Sequence, residues 1–397
     1  MKNLKNHFPR RDFLQKTALL GAGIMFAGSS ESSAQSPPKG EKMKRIRIGF
    51  IGLNPDSHWA STAHIPALKS LQHEFQVYGV ANSSPESGQR TAKALNLPQA
   101  FATPKDLANS KDIDLVVVTV RVPYHFELVS TALAAGKHVY CEWPLGNGTE
   151  EARKLTELAK SKGVVAAVGT QMRTSPDLRF LQKLVADGYV GKVLSSTLVG
   201  DGGNWGEETT ADLSYLYDKS KGATMLTIPF AHTLAGVQDV LGGFQDITGQ
   251  TAVRREKVLV TDTGKEIART AADQVMAQGV FESGAVFSAH YRGGMSLGTN
   301  FLWEINGTEG DIQVSGNIGH GQFAELVIRG GREGDKELKV LTPPTSLYEG
   351  LPEEVIPRNV AGIYKLIAQD IRTGSRLAPS FEDGLTLHKL LDRIGNS

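Results

Sequence analysis

Arg45-Ile46-Arg47-Ile48-Gly49-Phe50-Ile51-Gly52-Leu53-Asn54 runs on to Ala63-His64-Ile65-Pro66-Ala67-Leu68 and then to Phe75-Gln76-Val77-Tyr78-Gly79-Val80-Ala81. The first segment is a short β-branched strand ending in a glycine turn, the second carries apolar residues at helical spacing, and the third is another strand. Together they predict a βαβ unit. A dinucleotide-binding turn asks for three glycines, so that backbone amides at a helix N-terminus approach the phosphates. Here Gly52 holds the first position, and Asn54 takes the second because asparagine tolerates left-handed backbone angles. An ordinary strand-to-helix turn fits the same residues. In the functional reading Ile51, Gly52, Leu53 and Asn54 line the cofactor. Asn82-Ser83 stands where an acidic residue would bind the ribose of NAD. The missing carboxylate leans toward NADP, whereas Asn or Ser holding the ribose suits NAD, so the cofactor is NAD or NADP.

Further αβ units follow. Thr103-Pro104 caps a helix before Leu115–Val120, His125–Ala135 precedes the strand Lys137–Glu142, and Glu150–Ser161 precedes Val164–Val168. Near-continuous apolar strands alternating with helices predict a doubly wound parallel sheet over 45–170. Beyond it, alternating stretches at Asp273–Phe281, Ala285–Arg292, Phe301–Asn306 and Asp311–Val314 predict a large, predominantly antiparallel sheet in a second α/β domain, 171–397. Met225–Leu241 reads as a covering helix, with Asn359–Thr373 and Phe381–Ile394 as a returning C-terminal pair within 359–394.

Lys plus Arg number 43 and Asp plus Glu 42 in 397 residues, so no net field draws the chain to nucleic acid or an anionic membrane. Cys141 is the one cysteine, which excludes an intramolecular disulfide and a cysteine-based zinc cage, and no metal site is expected. Residues 1–34 read as an address. Arg10-Arg11-Asp12-Phe13-Leu14-Gln15-Lys16 looks like a twin-arginine export signal, an apolar stretch from Thr17 to Gly28 follows, and Ser32-Ser33-Ala34 suits a cut after Ala34. A linker, 35–44, then leads into the first domain. The apolar stretch is shorter than the ~20 residues of a membrane span. These features predict a periplasmic protein handled by the twin-arginine export machinery and carrying no integral membrane segment.

Gly52, His64-Ile65-Pro66-Ala67-Leu68, Thr119 to His125, Gly136-Lys137-His138-Val139 and Glu142-Trp143-Pro144 resemble the Gfo/Idh/MocA oxidoreductases through roughly residues 46–241. Gly49-Phe50-Ile51-Gly52-Leu53-Asn54, Glu142-Trp143 and Asp201-Gly202-Gly203-Asn204-Trp205 are similar to the branch of the fungal galactose-pathway repressor, some members of which bind cofactor without redox chemistry. The resemblance implies that Thr119, Val120, His125, Glu142, Trp143 and Gln171 also border the cofactor, and that the open sheet face makes a homodimer or homotetramer. The family's motif is Glu-Lys-Pro, and Trp143 replaces its lysine. Indole can stack or donate one hydrogen bond but cannot carry a proton through a cycle, so Trp143 is either a cavity filler or a sugar-stacking platform. A cis Trp143-Pro144 bond is compatible with the loop. His232 matches the family's active-site histidine, with Ile228 where an aspartate is usual, and remains the catalytic candidate. Arg173 faces cofactor or substrate, or else makes an interdomain ion pair. Trp205, Tyr215, Tyr217 and Tyr291 are candidates for the substrate wall, with core packing as the competing role.

Outside the cytoplasm no free NAD(P) pool exists, so an exported dehydrogenase has to keep its cofactor tightly bound and restore it within each cycle. Resemblance and address together imply a carbohydrate substrate and net redox-neutral chemistry: hydride passed from one sugar to another, or glycoside cleavage through transient oxidation. A cofactor- and sugar-binding protein without turnover is the alternative.

Overall fold

The computed structural model describes residues 44–56 and 59–395. The signal and cleavage site predicted over 1–34, and the linker up to residue 43, lie outside the described residues.

The first sheet is parallel, with the strand order β3-β2-β1-β4-β5-β6. It is built from β1 (Ile46–Ile51), β2 (Phe75–Ala81), β3 (Gln99–Ala100), β4 (Leu115–Val118), β5 (His138–Glu142) and β6 (Ala166–Gly169). The connecting helices are α1 (Ile65–Ser70), α2 (Pro85–Ala94), α3 (Pro104–Asn109), α4 (His125–Ala134) and α5 (Thr149–Lys162). All four residues of β4 are buried, as a strand covered on both faces requires. The order reverses between β1 and β4, which opens a crevice at their carboxyl ends. Thr103 caps α3 as predicted, accepting from the Asp106 N–H, and Ser84 does the same for α2, accepting from the Ser87 N–H.

The second sheet has eight strands in the order β17-β16-β15-β14-β7-β13-β12-β9. These are β7 (Val193–Asp201), β9 (Phe244–Ala252), β12 (Gln274–Phe281), β13 (Val286–Arg292), β14 (Phe301–Gly307), β15 (Gly310–Gly316), β16 (Leu326–Arg332) and β17 (Lys339–Val340). The β13–β7 pair is parallel and the other neighbours are antiparallel. A small satellite sheet joins β8 (Glu208–Thr209), β10 (Lys257–Val260) and β11 (Lys265–Ala268). Helices α6 (Pro176–Ala186) and α7 (Ala231–Leu241) cover the inner face of the large sheet. The single helix predicted over 225–241 is instead a π turn, Leu226–Phe230, leading into α7, because Pro229 lacks the N–H that a regular first turn needs.

The C-terminal helices return as predicted, but not to one place. α8 (Val355–Thr373) sends Val360, Ile363, Tyr364 and Ile367 into the core beneath β1 and α1, while α9 (Phe381–Gly395) packs its Phe381, Leu387, Leu391 and Ile394 into the other core. The last helices therefore seal the first sheet as well as the second. No described helix is long and apolar enough to cross a membrane.

Candidate functional site

Gly52 ends β1 with φ +96°, and a Cβ there would lie 2.4 Å from Val120 Cγ1 and 3.3 Å from the Thr119 carbonyl carbon. Glycine is thus required both by the backbone angle and by the close approach of the loop after β4. The turn is held on all sides. The Gly52 N–H donates to the Ala81 carbonyl at 3.1 Å, the Thr119 N–H to Ile51 at 3.0 Å, and the Thr119 hydroxyl to the Gly52 carbonyl at 2.9 Å.

Asn82 has a different task from the one expected of it. Its Oδ1 accepts from the Leu53 N–H at 3.1 Å and its Nδ2 donates to the Leu53 carbonyl at 2.8 Å, so both ends of the amide clamp the turn and neither is offered to a ribose. Ser83 beside it is exposed. Asn54 also departs from expectation: among the described residues only Asn96 and Trp205 adopt positive φ outside glycine. Asn54 Oδ1 instead accepts from the Asp56 N–H at 3.1 Å, an Asx turn. Ile51 and Leu53 are buried and border the crevice through their backbone. The Gly52 turn at the switch point fits a dinucleotide's diphosphate; with the Gly52 and Leu53 N–H groups engaged, the turn meets it from Asn54 onward.

The other half of the crevice is organised around Glu142 at the end of β5. His64 Nε2 lies 3.0 Å from Glu142 Oε1, and Gln171 Nε2 donates to Oε1 at 3.0 Å and Oε2 at 2.8 Å. His64 is wholly buried, and its Nδ1 meets the Tyr364 hydroxyl at 2.8 Å, from α8. Gly169 makes the space: a Cβ there would be 2.8 Å from Glu142 Oε1 and 2.9 Å from Gln171 Nε2. Burial, together with the Glu142 charge, pushes the Tyr140 and Tyr364 phenols well above their ordinary range, so both stay protonated. His125 ties the neighbouring loops together, with Nδ1 2.7 Å from the Pro144 carbonyl and Nε2 2.9 Å from that of Val120. Burial lowers its pKa against the pull of the two carbonyls.

The peptide before Pro144 is cis. Trp143 points into the opposite core: it is 4% exposed, its Nε1 donates to the Thr227 carbonyl at 2.5 Å, and its ring packs 4.6 Å from that of His388 on α9. A sugar-stacking platform is ruled out by that burial, and the indole is the cavity filler.

His232, the catalytic candidate, is 4% exposed, and burial, with a smaller contribution from His320, depresses its pKa to about 3. Its Nδ1 has no partner within the protein. Desolvation of this kind favours the neutral imidazole. The substrate wall is corrected. The Tyr217 hydroxyl donates to the Glu208 carbonyl at 2.9 Å, that of Tyr291 contacts Thr233 Oγ1 at 2.8 Å and the Gly319 carbonyl at 2.9 Å, and Trp205 Nε1 donates to Leu216 at 2.8 Å. All three residues are at most 1% exposed, with no face left for a ligand. Tyr215 is half-buried beneath the Arg121 guanidinium, 4.3 Å from its ring centroid. Arg173 reaches Asp239 at 2.8 Å and Asp383 at 3.1 Å, joining α7 to α9 within the second domain rather than pairing across the two domains. Burial opposes its charge, but the two aspartates outweigh burial and hold its pKa above the usual arginine value.

Several groups at the crevice were not singled out from sequence. Trp59 packs on Phe323 at 5.3 Å, Phe323 on His320 at 5.0 Å, and His320 on Trp205 at 6.0 Å, a file of rings linking the start of α1 to the second domain. His320 Nε2 meets the Gly202 carbonyl at 2.5 Å, and burial lowers its pKa to about 4. His64 was visible only as part of a motif; its partner Tyr364 lies 300 residues away. Among the described residues no cluster of His, Cys, Asp and Glu side chains could hold a metal ion.

Residues 46–170 match the oxidoreductase family with an NAD-binding Rossmann fold, and residues 176–316 match the C-terminal domain of Gal80p. Dehydrogenase aclE of Aspergillus oryzae is 30% identical over 293 residues, 69% of this chain and 77% of that protein. The chain belongs to the Gfo/Idh/MocA family. Its Gal80-like branch is shown by the galactose/lactose metabolism regulatory protein GAL80 of Kluyveromyces lactis, 30% identical over 303 residues, 71% of this chain and 66% of that protein. The match thus spans just under two thirds of that regulator. Levoglucosan dehydrogenase of Pseudarthrobacter phenanthrenivorans is 25% identical over 381 residues, covering 89% of this chain and 96% of its own. A super-repressor mutant of Gal80p from Saccharomyces cerevisiae superposes with a TM-score of 0.80 at 25% identity, over 88% of this chain and 95% of that structure. The first domain is accordingly an NAD-binding Rossmann domain.

Proposed function

We propose that this chain is an exported, periplasmic NAD(P)-dependent oxidoreductase that acts on a sugar or glycoside and recycles a tightly held cofactor within each turnover. The observation that carries the reading is the pairing of the Gly52 turn with the pinned Glu142 carboxylate on the two halves of one switch-point crevice. Bound NAD(P) would supply the hydride acceptor and donor. Gly52 and the Asn82 clamp shape the diphosphate end. Ser83 faces the adenosine ribose, and Thr119, Val120 and His125 hold the middle of the crevice open. Glu142 and Gln171, rather than His232, are the polar groups at the end where a substrate hydroxyl would lie. Similarity to levoglucosan dehydrogenase over nearly its whole length supports a carbohydrate substrate.

The paired arginines at 10–11 support export of the folded, loaded protein, and a redox-neutral cycle is what a trapped cofactor demands. Mass spectrometry of the purified mature protein tests the first part, with an N-terminus at Gln35 and a retained dinucleotide expected. A screen of free sugars and glycosides that follows the near-ultraviolet absorbance of the bound nicotinamide tests the second. Transient reduction followed by recovery supports the reading, and a cofactor that no sugar reduces refutes turnover.

A second reading has a specific observation behind it. Trp143, in the place of the family's lysine, is built into the core, and His232 is held neutral. A non-catalytic NAD(P)- and sugar-binding protein, in line with the regulatory relatives, is what the same screen would reveal by an unchanging nicotinamide.

A further inference from the structure

Glu142 is held in a cage of hydrogen bonds at the end of β5. Gln171 Nε2 donates to both carboxylate oxygens, at 3.0 and 2.8 Å, and His64 Nε2 lies 3.0 Å from Oε1 while its Nδ1 meets the Tyr364 hydroxyl. The groups facing the carboxylate are an imidazole from the turn before α1, a neutral amide from the segment after β6, and two protonated phenols from β5 and α8. The next residue along the chain, Trp143, is uncharged and bonds to Thr227. The carboxylate is thus fixed in place, with 11% of its side chain open.

Its place in the sheet gives that charge a consequence. A dinucleotide bound at the switch point of a doubly wound sheet lays one nucleotide over each half. The β1-β2-β3 half, with Ser83 at its rim, takes the adenosine, so the nicotinamide comes to the ends of β4, β5 and β6, where Glu142 stands. The oxidised ring is a cation and the reduced ring is neutral.

We propose that the anchored Glu142 carboxylate makes this site discriminate between redox states, binding the oxidised dinucleotide in preference to the reduced one, so that the resting protein holds an oxidised cofactor and each cycle starts by taking hydride from the substrate. This inference rests on the function proposed above. His64, Gln171 and Tyr364 are positioning residues: they hold the carboxylate still, and Gly169 leaves them room. With close to water-like screening, a unit charge about 4 Å from the ring changes binding by roughly fivefold to tenfold, tenfold being equivalent to a bound midpoint potential about 30 mV more negative.

The test uses the mature full-length chain and measures dissociation constants for NAD+ and NADH by calorimetry and by quenching of tryptophan fluorescence. In Glu142→Gln the ratio Kd(NADH)/Kd(NAD+) falls roughly fivefold to tenfold, mainly through weaker NAD+ binding. In Glu142→Asp, which keeps the charge, most of the ratio survives. Should Glu142→Gln not fold, Glu142→Ala replaces it in the same assay, with the same fall in the ratio expected. A folded Glu142→Gln or Glu142→Ala with the wild-type ratio overturns the proposal and leaves the functional reading standing. Failure of the wild type to bind either nucleotide overturns both.

Discussion

Replacing Gly52 with alanine tests whether the turn at the end of β1 is as constrained as its geometry says. Two separable penalties apply. The backbone sits at φ +96°, which costs a residue with a Cβ about 1–3 kcal/mol. The new Cβ would also lie 2.4 Å from Val120 Cγ1, and overpacking of this kind costs roughly 1–3 kcal/mol more. Gly52→Ala is therefore expected to lose about 2–6 kcal/mol and to melt several degrees lower, since 1 kcal/mol corresponds to about 2–4 °C in domains of 150–250 residues. Val120→Ala removes the obstructing methyl but not the backbone penalty. The double variant should recover the steric part, giving a favourable coupling of about 1–3 kcal/mol in a double-mutant cycle read by thermal and urea melts. Nucleotide affinity, measured alongside, should fall in the single variant and return only in part in the double. Strict additivity, or a Gly52→Ala chain as stable as wild type, would refute the argument that the loop after β4 closes on this glycine.

Trp143→Lys restores the family's motif on paper, yet the indole fills a core and bonds to Thr227; we expect no gain of dehydrogenase activity and a loss of roughly 3–5 kcal/mol in a denaturant melt. Acid should destabilise the chain early. His232, at about 3, and His320 and His388, at about 4, are depressed by burial from 6.5. Because the unfolded chain binds protons at those sites first, stability is full above about pH 6.5 and falls as pH drops toward the folded values, by of the order of several kcal/mol in all. Replacing all three by glutamine should flatten a pH-melting curve over that window. Arg173→Ala leaves Asp239 facing an empty partner and is expected to cost about 2–4 kcal/mol, with Arg173→Lys recovering little because lysine cannot reproduce the fork that spans Asp239 and Asp383.

The strands were legible where periodicity speaks for itself. Phe75–Ala81 is observed at the predicted limits, and the segments predicted at 273–281, 285–292, 301–306 and 311–314 became β12 to β15 with shifts of one or two residues. Short pieces paired only through tertiary context, such as β3, β8 and the β10–β11 hairpin, carry no such pattern. Among site residues, Gly52 was legible because a positive φ leaves few choices. Asn82 was named for the right place and the wrong contact, since an amide at a strand end can face a ribose or its own neighbouring turn, and only the position of Leu53 decides. Aromatic residues in the second domain misled for a related reason: Tyr217, Tyr291 and Trp205 each have a polar tip that a carbonyl or hydroxyl inside the protein satisfies as well as a sugar would. The His64–Glu142–Tyr364 chain depends on α8 folding back over the first sheet, a contact that no local signal encodes.

The account rests on the crevice above β1 and β4 holding a pyridine dinucleotide. Calorimetric titration of the chain, stripped of any bound nucleotide, with NAD+, NADH, NADP+ and NADPH addresses this most directly. We expect one dinucleotide per chain, with binding weakened by Gly52→Ala. A flat titration with all four, from a protein whose melt shows it folded, would contradict the account at its root.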